Sequence, residues 1–152
     1  MLADVVMLTG LDVATTDHGR LFSRKAEHKV ETRNIDGWSG YIQKYQQTRS
    51  VGRREHATFL NMWLDKFIFY GRSVEPTSVY LSAAERLADG NRFPLGRYLL
   101  GSVYHLLHQV VEKLLLGEPI GNLGGPWWFI NMWLNVHMHK RLSFHFFAQQ
   151  FP

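Results

Sequence analysis

Three side chains on one predicted helix have the chemistry of zinc ligands. His105, His108 and Glu112 fall within two turns of that helix, and proteins bind zinc through imidazole and carboxylate groups. However, the sequence contains no HExxH motif, and no further ligand follows at a standard spacing. His137 and His139 are two positions apart and therefore point to different sides of a helix. We interpret these residues as parts of solvated helix faces, so the sequence predicts no metal site.

The candidate nucleophiles and cofactor loops are also incomplete. The stretch Gly37–Gly40 contains one serine, but it lacks the full spacing of a nucleophile elbow and follows no predicted strand. The glycines between 121 and 125 spell neither a dinucleotide fingerprint nor a phosphate loop, and are interpreted as a turn between helices. Lys66 lies on an apolar helix, where an amine can form imines, but its stem can carry the amine to water. The sequence predicts no catalytic residue, no cofactor and no enzymatic activity.

The composition favours a folded, intracellular protein of one domain. The chain has 152 residues, of which 45% are hydrophobic and 20% are charged. It contains no cysteine, which excludes disulfides, thiolate catalysis and cysteine-ligated zinc. No basic segment followed by an apolar core opens the sequence, so no signal peptide is predicted. The uncharged stretch Pro119 to His139 has the length of a bilayer span, but its prolines, glycines and asparagines argue against one.

Positive charge is concentrated in one part of the chain. The net charge is +4, and residues 20–54 hold nine Lys and Arg against three acids, a local net charge of +6. Such a basic, loop-rich segment could neutralise nucleic-acid phosphates without reading a base sequence. Arg49, Arg53 and Arg54 are the candidate contacts. The competing interpretation is an ordinary solvated surface.

Hydrophobic periodicity predicts helices through most of the chain. The expected helices are Leu2–Leu8, a segment from His56 to Gly71, Ser78–Ala88, Leu95–Leu116 and Pro126–Leu142. Asp12–Phe22 is predicted to be a loop or a short β-hairpin, and Ile35–Gly40 carries two turn signals. The predicted fold class is therefore mainly α, a single helical domain over residues 1–152 with at most one small N-terminal β-hairpin.

The longest predicted helix has an apolar stripe and a polar side. We expect one stripe to be buried, formed by Leu99, Val103, Leu106, Leu107, Val110 and Leu114. The expected polar side is formed by Ser102, His105, Gln109, Glu112 and Lys113. This division is typical of a helix that lies on a core.

Two nearly identical heptapeptides lie seventy positions apart, FLNMWLD at Phe59–Asp65 and FINMWLN at Phe129–Asn135. Their flanks differ and nothing between them repeats, so we do not interpret them as an internal duplication. We expect two core helices, each with a tryptophan one turn after a phenylalanine. Trp63 and Trp133 are predicted to be buried.

Two further tryptophans are adjacent. Neighbouring residues point about 100° apart on a helix, so Trp127 and Trp128 cannot both face one narrow core. Tryptophan is favoured in the hot spots of protein interfaces. We therefore predict that one of the two anchors a protein partner.

Four ordered stretches together suggest a family. They are LADVVMLTGLDV, EHATFLNMWLDKFIF, SVYLSAAERLADGNRFPLGRYLLGSVYHLLHQ and GGPWWFINMWLNVHM. In this order they resemble the plant mobile domain, also labelled "aminotransferase-like", and look most like copies carried by plant transposable elements. The resemblance covers most of the chain. The domain usually extends further at both ends, so we expect a truncated copy.

The resemblance implies a function without catalysis. It points to a largely helical domain of plant nuclear proteins of the MAINTENANCE OF MERISTEMS type and of transposons. It implies roles in meristem maintenance, genome integrity and gene silencing of transposons, with a phosphatase-like partner of the PPP class. The sequence shows no Schiff-base lysine, phosphate cup or pyridinium partner, so "aminotransferase-like" is not taken as chemistry. We expect a nuclear protein-interaction domain; the alternative is a transposon-derived nucleic-acid module that uses residues 20–54.

Overall fold

The computed structural model describes residues 1–15, 25–47 and 50–148, with side chains as far as residue 138. The helices in order are α1 Leu2–Thr9, α2 Gly37–Tyr45, α3 Arg53–Trp63, α4 Leu81–Ala88, α5 Leu95–Leu115 and α6 Trp127–Ala148. A π-helical turn, Leu64–Ile68, continues α3. The structure confirms the predicted mainly α class.

Several helices end at glycines in the left-handed conformation. Gly117 follows α5 with φ +66°, its N–H donates to the carbonyl of Leu114 at 3.2 Å, and the N–H of Glu118 donates to that of Lys113 at 2.9 Å. This pair of bonds is a Schellman motif, in which glycine avoids the steric cost of a Cβ. Gly90 ends α4 in the same way, with φ +73°. Both stops fall where the sequence predicts them.

The core lies where α1, the end of α3, α4, the first half of α5 and the start of α6 meet. Its buried apolar members are Val5, Leu64, Ile68, Phe69, Ala83, Ala84, Phe93, Leu95, Leu99, Val103 and Phe129. Two aromatic pairs stack at its edge, Phe69 on Tyr80 and Phe93 on Tyr98, with ring centroids 4.7 and 5.1 Å apart. Burial of these side chains is the main driving force for the fold.

The structure corrects several predicted boundaries. The turn signals in Ile35–Gly40 do not keep the chain irregular, because α2 begins at Gly37 and its buried Tyr41 and Tyr45 attach it to the fold. Burial of two aromatic rings outweighs weak local propensity. The last helix continues past Leu142 to Ala148. No strand occurs in residues 1–15, 25–47 or 50–148; the predicted hairpin at Asp12–Phe22 falls largely outside the described residues.

The two heptapeptides do not pack alike. Phe129 is completely buried, whereas Phe59 is 48% exposed. Trp63 and Trp133 pack against the same core cluster, but both are half-buried. The two tryptophans were predicted to be buried, and both are buried in part. The shared phenylalanine has a core role only in α6.

A buried polar network fills the side of α3 that the apolar pattern leaves polar. Asn61 is fully buried, and its amide donates to the carbonyl of Thr77 at 2.7 Å and to the hydroxyl of Tyr41 at 3.3 Å. Asp65 is also buried and accepts from the hydroxyl of Thr77 at 2.5 Å. Burial raises the pKa of Tyr41 to about 12. The π-helical turn and the loop before α4 are thus connected by hydrogen bonds inside the protein.

A second buried acid fixes the segment before α2 to α4. Glu85 accepts hydrogen bonds from the backbone N–H groups of Glu27 at 2.9 Å and His28 at 2.7 Å, and contacts the Nδ1 of His28 at 2.8 Å. Burial raises the pKa of Glu85, but these bonds outweigh it and hold the pKa below its usual value. This carboxylate connects parts of the chain 57 and 58 positions apart.

Candidate interaction surface

The core covers only part of α5. Leu99, Val103 and Leu106 are buried as predicted, but no residue of α5 after Leu106 is buried. Leu107 and Leu114, which were expected in the same stripe, are 37% and 60% exposed. Their prediction was wrong because the last nine residues of the helix extend beyond the elements that pack against its first half.

The exposed apolar side chains of α5 form a second stripe, which we call the outer stripe. It consists of Tyr104, Leu107, Val111, Leu114 and Leu115. Their spacing places them on one side of the helix, and Leu115 is 81% exposed. Polar pairs lie beside the stripe, with His108 3.4 Å from Glu112 and Lys113 3.2 Å from Glu118. An apolar patch of this kind, rimmed by polar residues, is typical of a protein interaction site.

A groove, which we call the arginine groove, lies along another side of α5 between Arg97 and Gln109. Its volume is about 650 Å³, and it is open to solvent. The opposite wall is formed by Phe69–Arg72, Tyr80 and the glycines Gly124 and Gly125. These two loops touch, because the N–H of Gly125 donates to the carbonyl of Tyr70 at 2.9 Å, and a Cβ on Gly124 would collide with Arg72.

The cations of this groove are held in place by hydrogen bonds. An Nη2 of Arg72 donates to the Oε1 of Gln109 at 3.1 Å, and the Nε2 of Gln109 lies 3.0 Å from the Nε2 of His105. The Nε of Arg97 donates to the carbonyl of Val13 at 2.5 Å. The hydrogen-bond partners of both guanidinium groups are therefore neutral, and neither group forms an ion pair with a described acid, although Glu112 and Glu118 line an adjoining cavity with Arg72.

Arg53, one of the predicted nucleic-acid contacts, is paired with acids, unlike the arginines of the groove. Arg53 donates from Nε and Nη2 to both carboxylate oxygens of Asp89, at 2.5 and 2.7 Å, and from Nη1 to Glu27 at 3.0 Å. Asp89 and then Glu27 raise the pKa of Arg53, and Arg53 lowers that of Asp89. Two acids thus balance the charge of Arg53 within the protein.

Arg54 is also engaged internally. It donates to the carbonyl of Lys29 at 2.9 Å, and its guanidinium carbon lies 4.9 Å from the ring centre of Tyr45. Arg49 lies outside the described residues. Lys44 pairs with Glu31, which lowers the pKa of that acid. Lys44, Arg53 and Arg54 thus hold α2 and α3 to their surroundings, and the nucleic-acid contact stays a prediction.

The two adjacent tryptophans at the start of α6 point in different directions, as expected. The indole N–H of Trp127 donates to the carbonyl of Leu123 at 2.9 Å, and that of Trp128 donates to the carbonyl of Ile68 at 3.0 Å. Both side chains are half-buried, and Trp128 packs against the core. Each polar indole group therefore has a structural role, and partner binding by Trp127 or Trp128 stays a prediction.

The other candidate chemistry is not assembled. No group of three His, Cys, Asp or Glu side chains in the described part of the chain could hold a metal ion. The sequence predicts that the amine of Lys66 reaches water; in the structure it donates to the carbonyl of Ser73 at 2.5 Å and lies 5.5 Å from the ring centre of Trp38. No helix among the described residues is long and apolar enough to cross a membrane.

Sequence reasoning missed the arginine groove and the outer stripe. Arg72 and Gly101 carry no motif, and only tertiary packing brings the loops of Arg72 and Gly124 to α5. A signal for the outer stripe does exist. The run Leu114–Leu116 is apolar around more of the helix than a single stripe requires.

The described residues form a mainly helical domain with an exposed apolar stripe and a groove on α5. The sequence model of the plant mobile domain matches residues 1–146, and the chain therefore belongs to the plant mobile domain family. No curated protein and no solved structure matches the chain.

Proposed function

We propose that this chain is a non-enzymatic protein-interaction domain that docks a partner through the outer stripe of α5. The observation that carries the proposal is the exposure of Val111, Leu114 and Leu115 on one side of the second half of α5, beyond the buried residues of its first half. Covering such a stripe with a partner would contribute about 25 cal/mol of favourable free energy for each Å² of apolar area removed from water. An apolar helix face is a common partner for a second helix or a hydrophobic groove.

The family suggests where and with what the domain acts. We propose a nuclear protein of plant or transposon origin that serves meristem maintenance, transposon silencing and genome integrity. Its proposed partner is a phosphatase-like protein of the PPP class. The support for these roles is the family membership together with the apolar surface.

The test is affinity purification from plant nuclear extract with three forms of the chain. Wild type should recover a PPP-class phosphatase-like protein, and Leu114→Glu with Leu115→Glu should lose it, because two charges would be buried in the interface. The matched control is Val74→Glu with Val79→Glu, two exposed valines outside the stripe, which should retain the partner. Circular dichroism checks that all three forms are folded.

Two results would overturn the proposal. Equal recovery by the stripe and control variants would show that the outer stripe does not bind the partner. A dimer in light scattering that only the stripe variant disrupts would assign the surface to a second copy of the chain.

The nucleic-acid alternative has less support, because Arg53 and Arg54 are engaged within the protein. It is tested by titrating salt against the binding of a DNA oligonucleotide. Binding through phosphates weakens steeply as salt rises. A flat response, or no binding at low salt, would remove this alternative.

A further inference from the structure

The arginine groove has the charge of an anion site. Arg72 and Arg97 contribute two positive charges, and none of its lining residues, all of which are described, is an aspartate or glutamate. Tyr70, Tyr80 and Tyr98 add aromatic surface. Guanidinium groups in such a position form strong, directional hydrogen bonds with carboxylates.

The length of the groove restricts what could occupy it. Arg97 and Gln109, the hydrogen-bond partner of Arg72, are twelve residues apart on α5, which corresponds to about 18 Å along the helix axis. An extended peptide advances about 3.3 Å per residue, so about five residues span this distance. Nucleic-acid phosphates follow one another far more closely, about 3.4 Å per strand along a duplex. Arg72 and Arg97 are the two Lys or Arg residues among the lining residues of the groove, all of which are described. A series of phosphates would leave its middle charges without a cation, whereas two separated carboxylates would not.

One position on the α5 side of the groove, Gly101, allows a backbone to approach closely. The Cβ positions of the lining glycines Gly71 and Gly124 are already occupied by atoms of Asp65 and Arg72. A Cβ added to Gly101 would meet no atom within 4 Å, so the space beside this part of α5 is open. A glycine at such a position leaves room for another main chain.

We propose that the arginine groove binds an extended, acidic peptide segment of a protein partner, with one carboxylate near Arg72 and another near Arg97. Aromatic or apolar side chains between the two acids contact the tyrosines. No residue of the outer stripe lines the groove itself, although Leu115 lines an adjoining cavity with Arg72 and Gln109. The groove would give the proposed interaction domain a second contact that selects partners by charge. Its test does not require the partner that the outer stripe binds.

The probe is a phage-displayed library of random seven-residue peptides, selected against the purified full chain. We expect enriched peptides to carry Asp or Glu at two positions about five residues apart. A fluorescein-labelled peptide from the selection is then measured by fluorescence anisotropy. Its binding should weaken about tenfold in Arg72→Gln and in Arg97→Gln, since each loses a charge-assisted hydrogen bond. Arg92→Gln removes an exposed charge outside the groove and should leave binding unchanged.

Gly101→Leu is the most informative variant. It fills the groove without a clash at Cβ, and it replaces glycine by a strong helix former, so the fold should be preserved. It should abolish peptide binding while the melting temperature stays equal or rises; Gly101→Ala should bind nearly as wild type. A second stripe variant, Leu107→Glu with Val111→Glu, changes two exposed residues that do not line the groove and should bind the peptide normally, which separates the two proposals. Selection without acidic enrichment, or unchanged binding by Gly101→Leu, would overturn the proposal. So would tighter binding of a DNA oligonucleotide that Gly101→Leu blocks.

Discussion

The heptapeptides FLNMWLD in α3 and FINMWLN in α6 share five residues, yet they turn opposite sides to the core. In α3 the asparagine and the second leucine, Asn61 and Leu64, are fully buried. In α6 the corresponding Asn131 is exposed and Leu134 is 38% exposed. The phenylalanine that begins each heptapeptide shows the reverse: Phe59 is 48% exposed and Phe129 is fully buried. The shared residues therefore form a helix in both places, but they do not determine which side of that helix faces the core.

The difference follows from what surrounds each helix. The buried polar side of α3 meets hydrogen-bond partners on neighbouring segments, Tyr41 and Thr77. They accept from the amide nitrogen of Asn61, which offsets part of the cost of burying it, although its Oδ1 has no partner within the protein. The start of α6 meets an apolar cluster, where only Phe129 fits well. The partners present at each position decide the rotation of the helix about its axis.

The largest expected contrast is between the two phenylalanines. Phe129→Ala should lower the free energy of unfolding by about 3–5 kcal/mol, because it leaves a cavity in the core. Phe59→Ala should cost less than about 1 kcal/mol, since that ring is half in water. Urea unfolding followed by circular dichroism measures both variants. Similar losses would mean that the two heptapeptides pack alike after all.

The two asparagines test the polar half of the comparison. Asn61→Ala leaves the buried carbonyl of Thr77 without its hydrogen bond, and we expect it to cost about 2 kcal/mol. The matched change Asn131→Ala, at an exposed position, should stay within about 0.5 kcal/mol of wild type. Thermal unfolding of the two variants at the same pH provides the measurement. A larger effect at Asn131 would contradict the opposite orientation of the helices.

The smallest expected effect concerns acid. Glu85 lies on α4, which packs on α3, and its pKa is held below the usual value. As the pH falls, the carboxylate of Glu85 is therefore protonated in the unfolded chain before it is protonated in the folded protein. The stabilisation from Glu85 is complete above the ordinary glutamate pKa of about 4.3 and is lost as the pH falls through the lower folded value.

Glu85→Gln should remove that part of the acid dependence and cost about 1–2 kcal/mol at neutral pH, because an amide offers only one oxygen to two backbone N–H groups. Hydrogen exchange at pH 7 and pH 4 locates the effect. After correction for the slower intrinsic exchange at low pH, the protection factors of wild type should fall on acidification around α3 and α4 more than at Trp127–Met138. A uniform fall in protection would place the acid-sensitive group elsewhere.

Much of the fold could be predicted from local patterns. The helices α4 and α5 begin and end within a few residues of their expected limits, because apolar spacing, glycine stops and proline starts act over short distances. The start of α2 at Gly37 could not be predicted in this way. Its stability comes from Tyr41 and Tyr45, whose burial depends on residues far along the chain.

The candidate surfaces were less accessible to sequence reasoning. Trp127 and Trp128 are conspicuous in the sequence, but both indole groups bond within the fold. Arg53 is conspicuous for its charge, but Asp89, thirty-six positions away, pairs with it. The groove around Arg72 shows no motif, because its residues come from segments that meet only after folding.

The sequence by itself determined the mainly α class, the family and the positions of most helices, because spacing of apolar residues and the chemistry of caps are local properties. Only the tertiary structure decided which sides of those helices are buried, how far the core extends along α5 and which charges form ion pairs. The heptapeptides show the reason. Burial is a property of the contact between a residue and its distant neighbours, and identical local sequences placed against different neighbours acquire different interior faces.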